Sequence, residues 1–192
     1  ARVPSLMMWD DHDIFDGWGS HKKWFHDSMV AKGMFDCARE AFCLMQLCTA
    51  PDDLAGKIID RSGESLGWRT DFPGFSVIAP DLRSERTPHA IMGEHGWRDM
   101  IATLDTVPEH NRILLMSSVP VIGPRLSLVE AILHLMPSAQ KYEDDLRDQW
   151  QSRWHRKEWC RFLETLEEVA NDRNHDITLL SGEIHVATRG TF

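Results

Sequence analysis

The stretch that decides how this chain is interpreted is MMWDDHDI at residues 7–14, which is followed by FDGWGS at residues 15–20. The apolar run from Leu6 to Trp9 is too short for a helix and predicts the end of a buried strand. Three carboxylates around one imidazole follow at once, and the two glycines after them predict a loop. Because like charges packed this closely repel one another, such a cluster usually needs a compensating cation.

The cluster has the residue types of a metal site. Asp10, Asp11 and Asp13 offer hard oxygen ligands, and the imidazole of His12 can carry a proton near neutral pH. The alternative interpretation is a solvated acidic loop with a surface histidine. Four such residues in a row, at a strand end and before a glycine loop, favour the metal site.

Length and charge limit the function further. The 192 residues suit one domain, and 21 Lys and Arg against 30 Asp and Glu give a net charge of −9. That negative field would repel nucleic acid and anionic membranes, so no nucleic-acid-binding surface is expected. An anionic substrate would need a local positive centre, made by metal ions or by arginines. No apolar run approaches the ~20 residues that a membrane span requires.

The four cysteines form no CxxC pair and no zinc-finger spacing. Three of them fall in one apolar segment, where cysteine usually behaves as a small buried hydrophobe. The sequence therefore predicts reduced core residues and a cytoplasmic location. The residues concerned are Cys37, Cys43, Cys48 and Cys160.

The rest of the chain alternates apolar helical patterns with short β-rich runs, which predicts an α/β or α+β layered fold. Helices are predicted at residues 33–48, 96–104, 126–135 and 159–170, a hairpin joins residues 66–69 to 75–79, and buried strands lie at 112–119 and 176–180.

Chemically reactive residues follow three of the predicted strands, at residues 10–13, 81–86 and 183–185. Ligands of open α/β sheets collect outside the strand ends, so the first and third groups are predicted to lie side by side. Residues 81–83 should border the same cleft. The guanidinium groups of Arg83 and Arg86 suit phosphate oxygens, although a surface turn held by salt bridges explains them equally well on local grounds.

Residues 9–20 closely resemble the signature of PhoD-like phosphatases, in the calcineurin-like metallophosphoesterase superfamily. Three later segments occur in the expected order: DLRSERT at 81–87, DDLRDQW at 144–150 with His155, and LSGEIH at 180–185. The resemblance implies a metallophosphoesterase-like β-sheet core flanked by helices. It also implies metal-dependent hydrolysis of a phosphate mono- or diester as the reaction, with that ester as the substrate.

The resemblance assigns roles to individual residues. Asp11 takes the place of the superfamily's asparagine ligand, and His12 that of the histidine which stabilises the transition state and protonates the leaving group. Carboxylate-rich sites favour hard cations, here Ca²⁺, Mn²⁺ or Fe³⁺. The implied metal ligands are Asp10, Asp11, Asp13, Glu183 and His185, and the implied catalytic residues are His12, Arg83 and Arg86.

Two departures from the superfamily pattern are present. The strand that should end in a histidine ends near Ser117 and Ser118, and the superfamily's two preceding metal-binding elements fall upstream of Ala1. The resemblance thus implies that residues 1–192 are the C-terminal portion of one catalytic domain, incomplete at its N-terminus and inactive alone. The alternatives are a degenerate phosphoesterase domain that acts as a binding module, and an unrelated α/β module with an acidic loop.

Overall fold

The computed structural model describes residues 4–54, 58–60, 64–122 and 149–182. In this part of the chain, four strands form one mixed sheet in the order β1-β2-β3-β4. The first pair is antiparallel, and the other two pairs are parallel. Flanking helices make this an α+β fold, which confirms the predicted class. The strands are β1 (Trp68–Phe72), β2 (Phe75–Ala79), β3 (Arg112–Ser117) and β4 (Ile177–Ser181).

The predicted hairpin is β1 and β2, whose register ends in the pair Phe72 and Phe75. Their rings stack with centroids 4.8 Å apart. Gly74 closes the turn at φ 86°, a left-handed conformation that glycine adopts without steric cost. Turn chemistry therefore fixes the register of this part of the sheet locally.

The parallel strands bring three chain segments to one edge of the sheet, because β2, β3 and β4 all end there. Asp81 follows β2, and the amide of Gly182 after β4 donates to the carbonyl of Ser117 at 2.8 Å. A Cβ on Gly182 would lie 2.4 Å from the carbonyl oxygen of Ser118, so the two strand exits touch. The predicted ligands Glu183 and His185, the predicted helix at 126–135 and residues 144–148 lie outside the described residues.

The main core lies between the sheet and two helices. Trp150 and Phe162 stack with ring centroids 4.7 Å apart, and both are fully buried together with Leu115 and Leu166. The predicted helices at 33–48, 96–104 and 159–170 are confirmed, with shifted bounds. The helices are α1 (Lys23–His26), α2 (Met29–Met45), α3 (Glu94–Asp105) and α4 (Arg156–Arg173). Among the described residues, no helix combines the length and the apolar composition that a membrane span needs.

The prediction of a strand at Leu6–Trp9 is wrong, because this segment is extended but joins no ladder. Side chains hold it instead. The indole nitrogen of Trp68 donates to the carbonyl of Met7 at 2.7 Å, and Trp9 packs beside Phe42, with ring centroids 4.8 Å apart, in a second, smaller core. Trp9 is thus buried without backbone pairing of its segment, while Leu6 and Met7 stay exposed.

The prediction that all four cysteines are core residues is also wrong. All four are free thiols, but only Cys43 is buried. Burial raises the pKa of its thiol above the ordinary value. The other three are exposed on a helix surface or just after a helix end, because these segments carry more apolar residues than the side facing the core can hold. They are Cys37, Cys48 and Cys160.

Candidate metal centre

Three of the predicted site residues meet directly after Trp9. A single 3₁₀ turn, Asp11–Asp13, follows this buried indole and places one ligand atom each from Asp10, Asp11 and His12 within 4.8 Å of one another. Asp11 is buried, whereas the imidazole of His12 is 76% exposed. The centre therefore has a fixed carboxylate on its inner side and an accessible imidazole on its outer side.

Arg83 lies against both carboxylates although it is more than seventy positions away in the chain. Its Nε atom is 2.7 Å from Oδ1 of Asp10, and its Nη2 atom is 3.3 Å from Oδ1 of Asp11. The side chain of Arg83 is only 3% exposed. A buried guanidinium paired with two carboxylates is far more strongly coupled to them than a surface ion pair would be.

The position of Arg83 depends on Asp81, which the sequence placed only in a charged strand end. The Asp81 carboxylate accepts hydrogen bonds from the amides of Arg83 at 2.8 Å and Ser84 at 2.9 Å, and from that of Leu66 at 2.7 Å. These bonds tie the exit of β2 to the segment that enters β1. Asp81 is thus a positioning residue for the guanidinium.

The loop at residues 17–20 supports the centre from the other side. The amide of Gly17 donates to Oδ2 of Asp11 at 2.9 Å. Gly19 has φ 93°, and a Cβ there would lie 2.4 Å from Cγ of the buried Arg86. Both glycines of the opening motif therefore have a physical reason: one presents its amide to a carboxylate, and the other makes room for an arginine stem.

The two carboxylates next to Arg83 differ electrostatically. Burial raises the pKa of Asp10, and the Asp11 charge adds to that rise, while Arg83 opposes it; the net pKa lies above the ordinary value. Burial also acts on Asp11, but the charge of Arg83 and the amide of Gly17 outweigh it and hold its pKa below the ordinary value. Asp11 is thus the carboxylate that stays most firmly anionic and best suits a cation.

Asp13 and His12 are oriented by their neighbours. The Asp13 carboxylate turns back to accept the amide of Asp10 at 2.9 Å, and burial raises its pKa. His12 has Nδ1 3.2 Å from Oδ1 of Asp11 and Nε2 3.7 Å from Oδ1 of Asp16. The structure therefore brings Asp10, Asp11, His12 and Arg83 together, while Asp13 bonds to the backbone of the turn.

The donor set fits a hard cation in kind. The two carboxylates are ligands that Ca²⁺, Mn²⁺ and iron accept, and the imidazole, within 4.8 Å of them, suits iron rather than Ca²⁺. Three donors are fewer than the ~6–8 that Ca²⁺ takes, so further ligands would be needed. The guanidinium of Arg83 already neutralises part of the negative charge.

The resemblance leads us to expect a histidine near Ser117 and Ser118, and the hydroxyl of Ser117 serves the fold. It donates to the carbonyl of Val119 at 2.5 Å and accepts from the indole nitrogen of Trp150 at 3.3 Å. His155, from the third matching segment, is buried before α4, with Nδ1 3.2 Å from Oγ of Ser152. Neither residue stands among the grouped donors.

The carboxylate–histidine cluster thus lies beside a buried arginine that follows β2 of an α+β fold. The family model of PhoD-related phosphatases matches residues 1–143, so the chain belongs to that family. This result confirms the resemblance seen in the sequence.

A relative in Saccharomyces cerevisiae, the uncharacterised protein YGR266W, is 25% identical over 238 aligned residues. The alignment covers all of this chain and 34% of the yeast protein, so the chain spans about a third of that relative's length. No solved structure matches the chain significantly.

Proposed function

We propose that this chain carries part of the active site of a metal-dependent phosphatase or phosphodiesterase. The observation that supports this proposal best is the meeting of Asp10, Asp11 and His12 within 4.8 Å, against the buried guanidinium of Arg83. Carboxylates for a cation and a guanidinium for phosphoryl oxygens are the two groups that hydrolysis of a phosphate ester requires.

In this proposal Asp10 and Asp11 hold the metal, with Asp13, Glu183 and His185 as further ligands. Ca²⁺, Mn²⁺ and Fe³⁺ are the proposed ions, because the donors are mainly carboxylates. When bound, such ions lower the pKa of a water ligand and neutralise the charge of the phosphoryl group.

The chain's own side chains would bind and protonate the substrate. Arg83, fixed by Asp81, presents its guanidinium beside the carboxylates, and Arg86 follows on the same loop. His12 is the proposed general acid: Asp11 orients its Nδ1 side, and its exposed ring can reach a leaving oxygen.

The test is hydrolysis of 4-nitrophenyl phosphate and bis(4-nitrophenyl) phosphate by the natural full-length protein, with each of the three metals supplied. Removal of a general acid typically costs ~10²–10⁴-fold, so His12→Asn should lower kcat by about that factor. His110→Asn is the matched control, because His110 is an exposed histidine in the turn before β3. Equal turnover of the His12→Asn protein and the wild type would remove His12 from the mechanism.

The second candidate function is a non-catalytic module that binds a phosphorylated ligand. It is favoured by the pairing of Arg83 with both carboxylates, since the guanidinium can meet the cluster's need for a cation. Elemental analysis of the purified full-length protein separates the candidates. A protein that binds a phosphate ester but contains no calcium, manganese or iron would support the binding module.

A further inference from the structure

A cavity of about 710 Å³ lies beside the candidate metal centre. It is walled by the continuations of the two loops that build the centre: residues 18–20, which follow the amide bound to Asp11, and residues 84–89, which follow Arg83. The start of α2 and Trp154 close the other sides. Small-molecule sites typically measure ~300–1,000 Å³, so the space suits the organic part of a substrate.

The cavity is lined by more cations than the net charge of the chain would suggest. Lys22, Lys23 and Lys32 line it, and none of the three forms an ion pair with another residue in the described ranges. The buried Arg86 adds a fourth positive charge. In a protein with a net charge of −9, this concentration is a local attraction for anions.

The acidic residues of the cavity only partly offset these cations. The Glu85 carboxylate accepts the amides of His95 at 3.3 Å and Gly96 at 2.7 Å, so it serves the N-terminal end of α3. Asp27 and Asp36 also line the space and are exposed. The four cations therefore exceed the three lining carboxylates by one.

Aromatic rings form two walls of the same cavity. Trp18 and Phe35 stack with centroids 5.3 Å apart and an interplanar angle of 19°. Trp154, 38% exposed, meets His89 with centroids 5.4 Å apart. Aromatic side chains of this kind can bind a flat ligand by stacking.

We propose that this cavity binds the organic part of the phosphate ester and that this part is an aromatic ring bearing a second anionic group. The proposal rests on the function proposed above. The lysines would bind the second anion, and Trp154 would stack on the ring, while the ester phosphate reaches the centre at Asp11 and Arg83.

Binding can be measured apart from hydrolysis with naphthalene-2-sulfonate, which combines a flat ring with an anion. Calorimetric titration of the metal-free full-length protein in EDTA should show binding of this probe. 2-Naphthol lacks the anion and methanesulfonate lacks the ring, so the affinity for each should be lower by a factor of about ten or more.

Variants locate the probe in the cavity. The double change Lys22→Gln and Lys32→Gln should weaken naphthalene-2-sulfonate about tenfold, and Trp154→Leu should weaken it by a similar factor. Lys157→Gln and Trp24→Leu are matched controls, because both residues are exposed and neither lines the cavity. Binding that is absent in the wild type, or unchanged in the cavity variants, would overturn the proposal.

Turnover gives an independent result. In an active protein, the double lysine variant should raise KM for 4-carboxyphenyl phosphate about tenfold more than it raises KM for phenyl phosphate. Specific sulfonate binding without any hydrolysis would refute the enzymatic function but keep the cavity as an anion-and-ring site. Hydrolysis with equal KM effects on both esters would refute the second-anion site and keep the enzyme.

Discussion

Gly19→Ala tests the contact between the opening loop and Arg86. Gly19 has φ 93°, and an added Cβ would lie 2.4, 2.5 and 2.6 Å from Cγ, Cδ and Cβ of Arg86. The left-handed conformation costs an L-residue ~1–2 kcal/mol, and overpacking a buried site costs ~1–3 kcal/mol more. The free energy of unfolding should therefore fall by about 2–5 kcal/mol, because the stem of Arg86 is buried and has little room to move.

Two other glycines separate the terms. Gly74 has φ 86° but nothing within 4 Å of its added Cβ, so Gly74→Ala should show the backbone cost alone. Gly33 lies within α2 with open space around it, and Gly33→Ala should stabilise the helix by ~0.5–1 kcal/mol. Urea unfolding of all three variants supplies the comparison. A loss at Gly19 no larger than the loss at Gly74 would refute the packing argument.

Three further changes test other parts of the structure. Asp81→Asn leaves one acceptor oxygen in place of two, so the free energy of unfolding measured by urea titration should fall by ~1–3 kcal/mol. An unchanged unfolding midpoint would contradict the positioning role of Asp81. Burial and the nearby His21 hold the pKa of His26 below its ordinary value of 6.5, so the imidazole takes up a proton when the protein unfolds at low pH. The wild type should therefore lose stability as the pH falls below about 6.5, and His26→Gln should reduce this loss. Identical dependence of the melting curves on pH in the two proteins would exclude the effect. Leu166→Ala opens a cavity in the main core and should cost ~2–5 kcal/mol by the same titration, whereas a cost below about 1 kcal/mol would mean that the core collapses around the deletion.

Local pattern was enough to predict most of the fold. The hairpin depends on the turn at Pro73 and Gly74 and on the β-rich run that follows it, and α4 depends on an apolar face with helical spacing. These signals are contained in short windows of sequence. The segment Leu6–Trp9 misled the same reasoning, because burial of Trp9 by α2 produces the same apolar run as burial in a sheet.

The site was predictable in composition but not in geometry. Asp10, Asp11 and His12 are adjacent in sequence, so their clustering could be read directly. The bond from Arg83 to Asp10 joins residues 73 positions apart, and no local pattern specifies that Arg83, rather than Arg86, pairs with the carboxylates. Lys22 and Lys23 begin α1 and Lys32 lies in α2, and only the tertiary fold brings them to the same cavity as Arg86, so no local pattern marked that surface.

The central claim is that Asp11 anchors a divalent cation. It is tested most directly by titrating the protein with Mn²⁺ and measuring the free ion by electron paramagnetic resonance. We expect saturable binding to the wild type that Asp11→Asn weakens about tenfold or more, since it removes the charge but keeps an acceptor for the amide of Gly17. Asp52→Asn removes the same charge at an exposed surface position and should bind as the wild type does. No binding to the wild type, or equal weakening by both changes, would contradict a metal centre at Asp11.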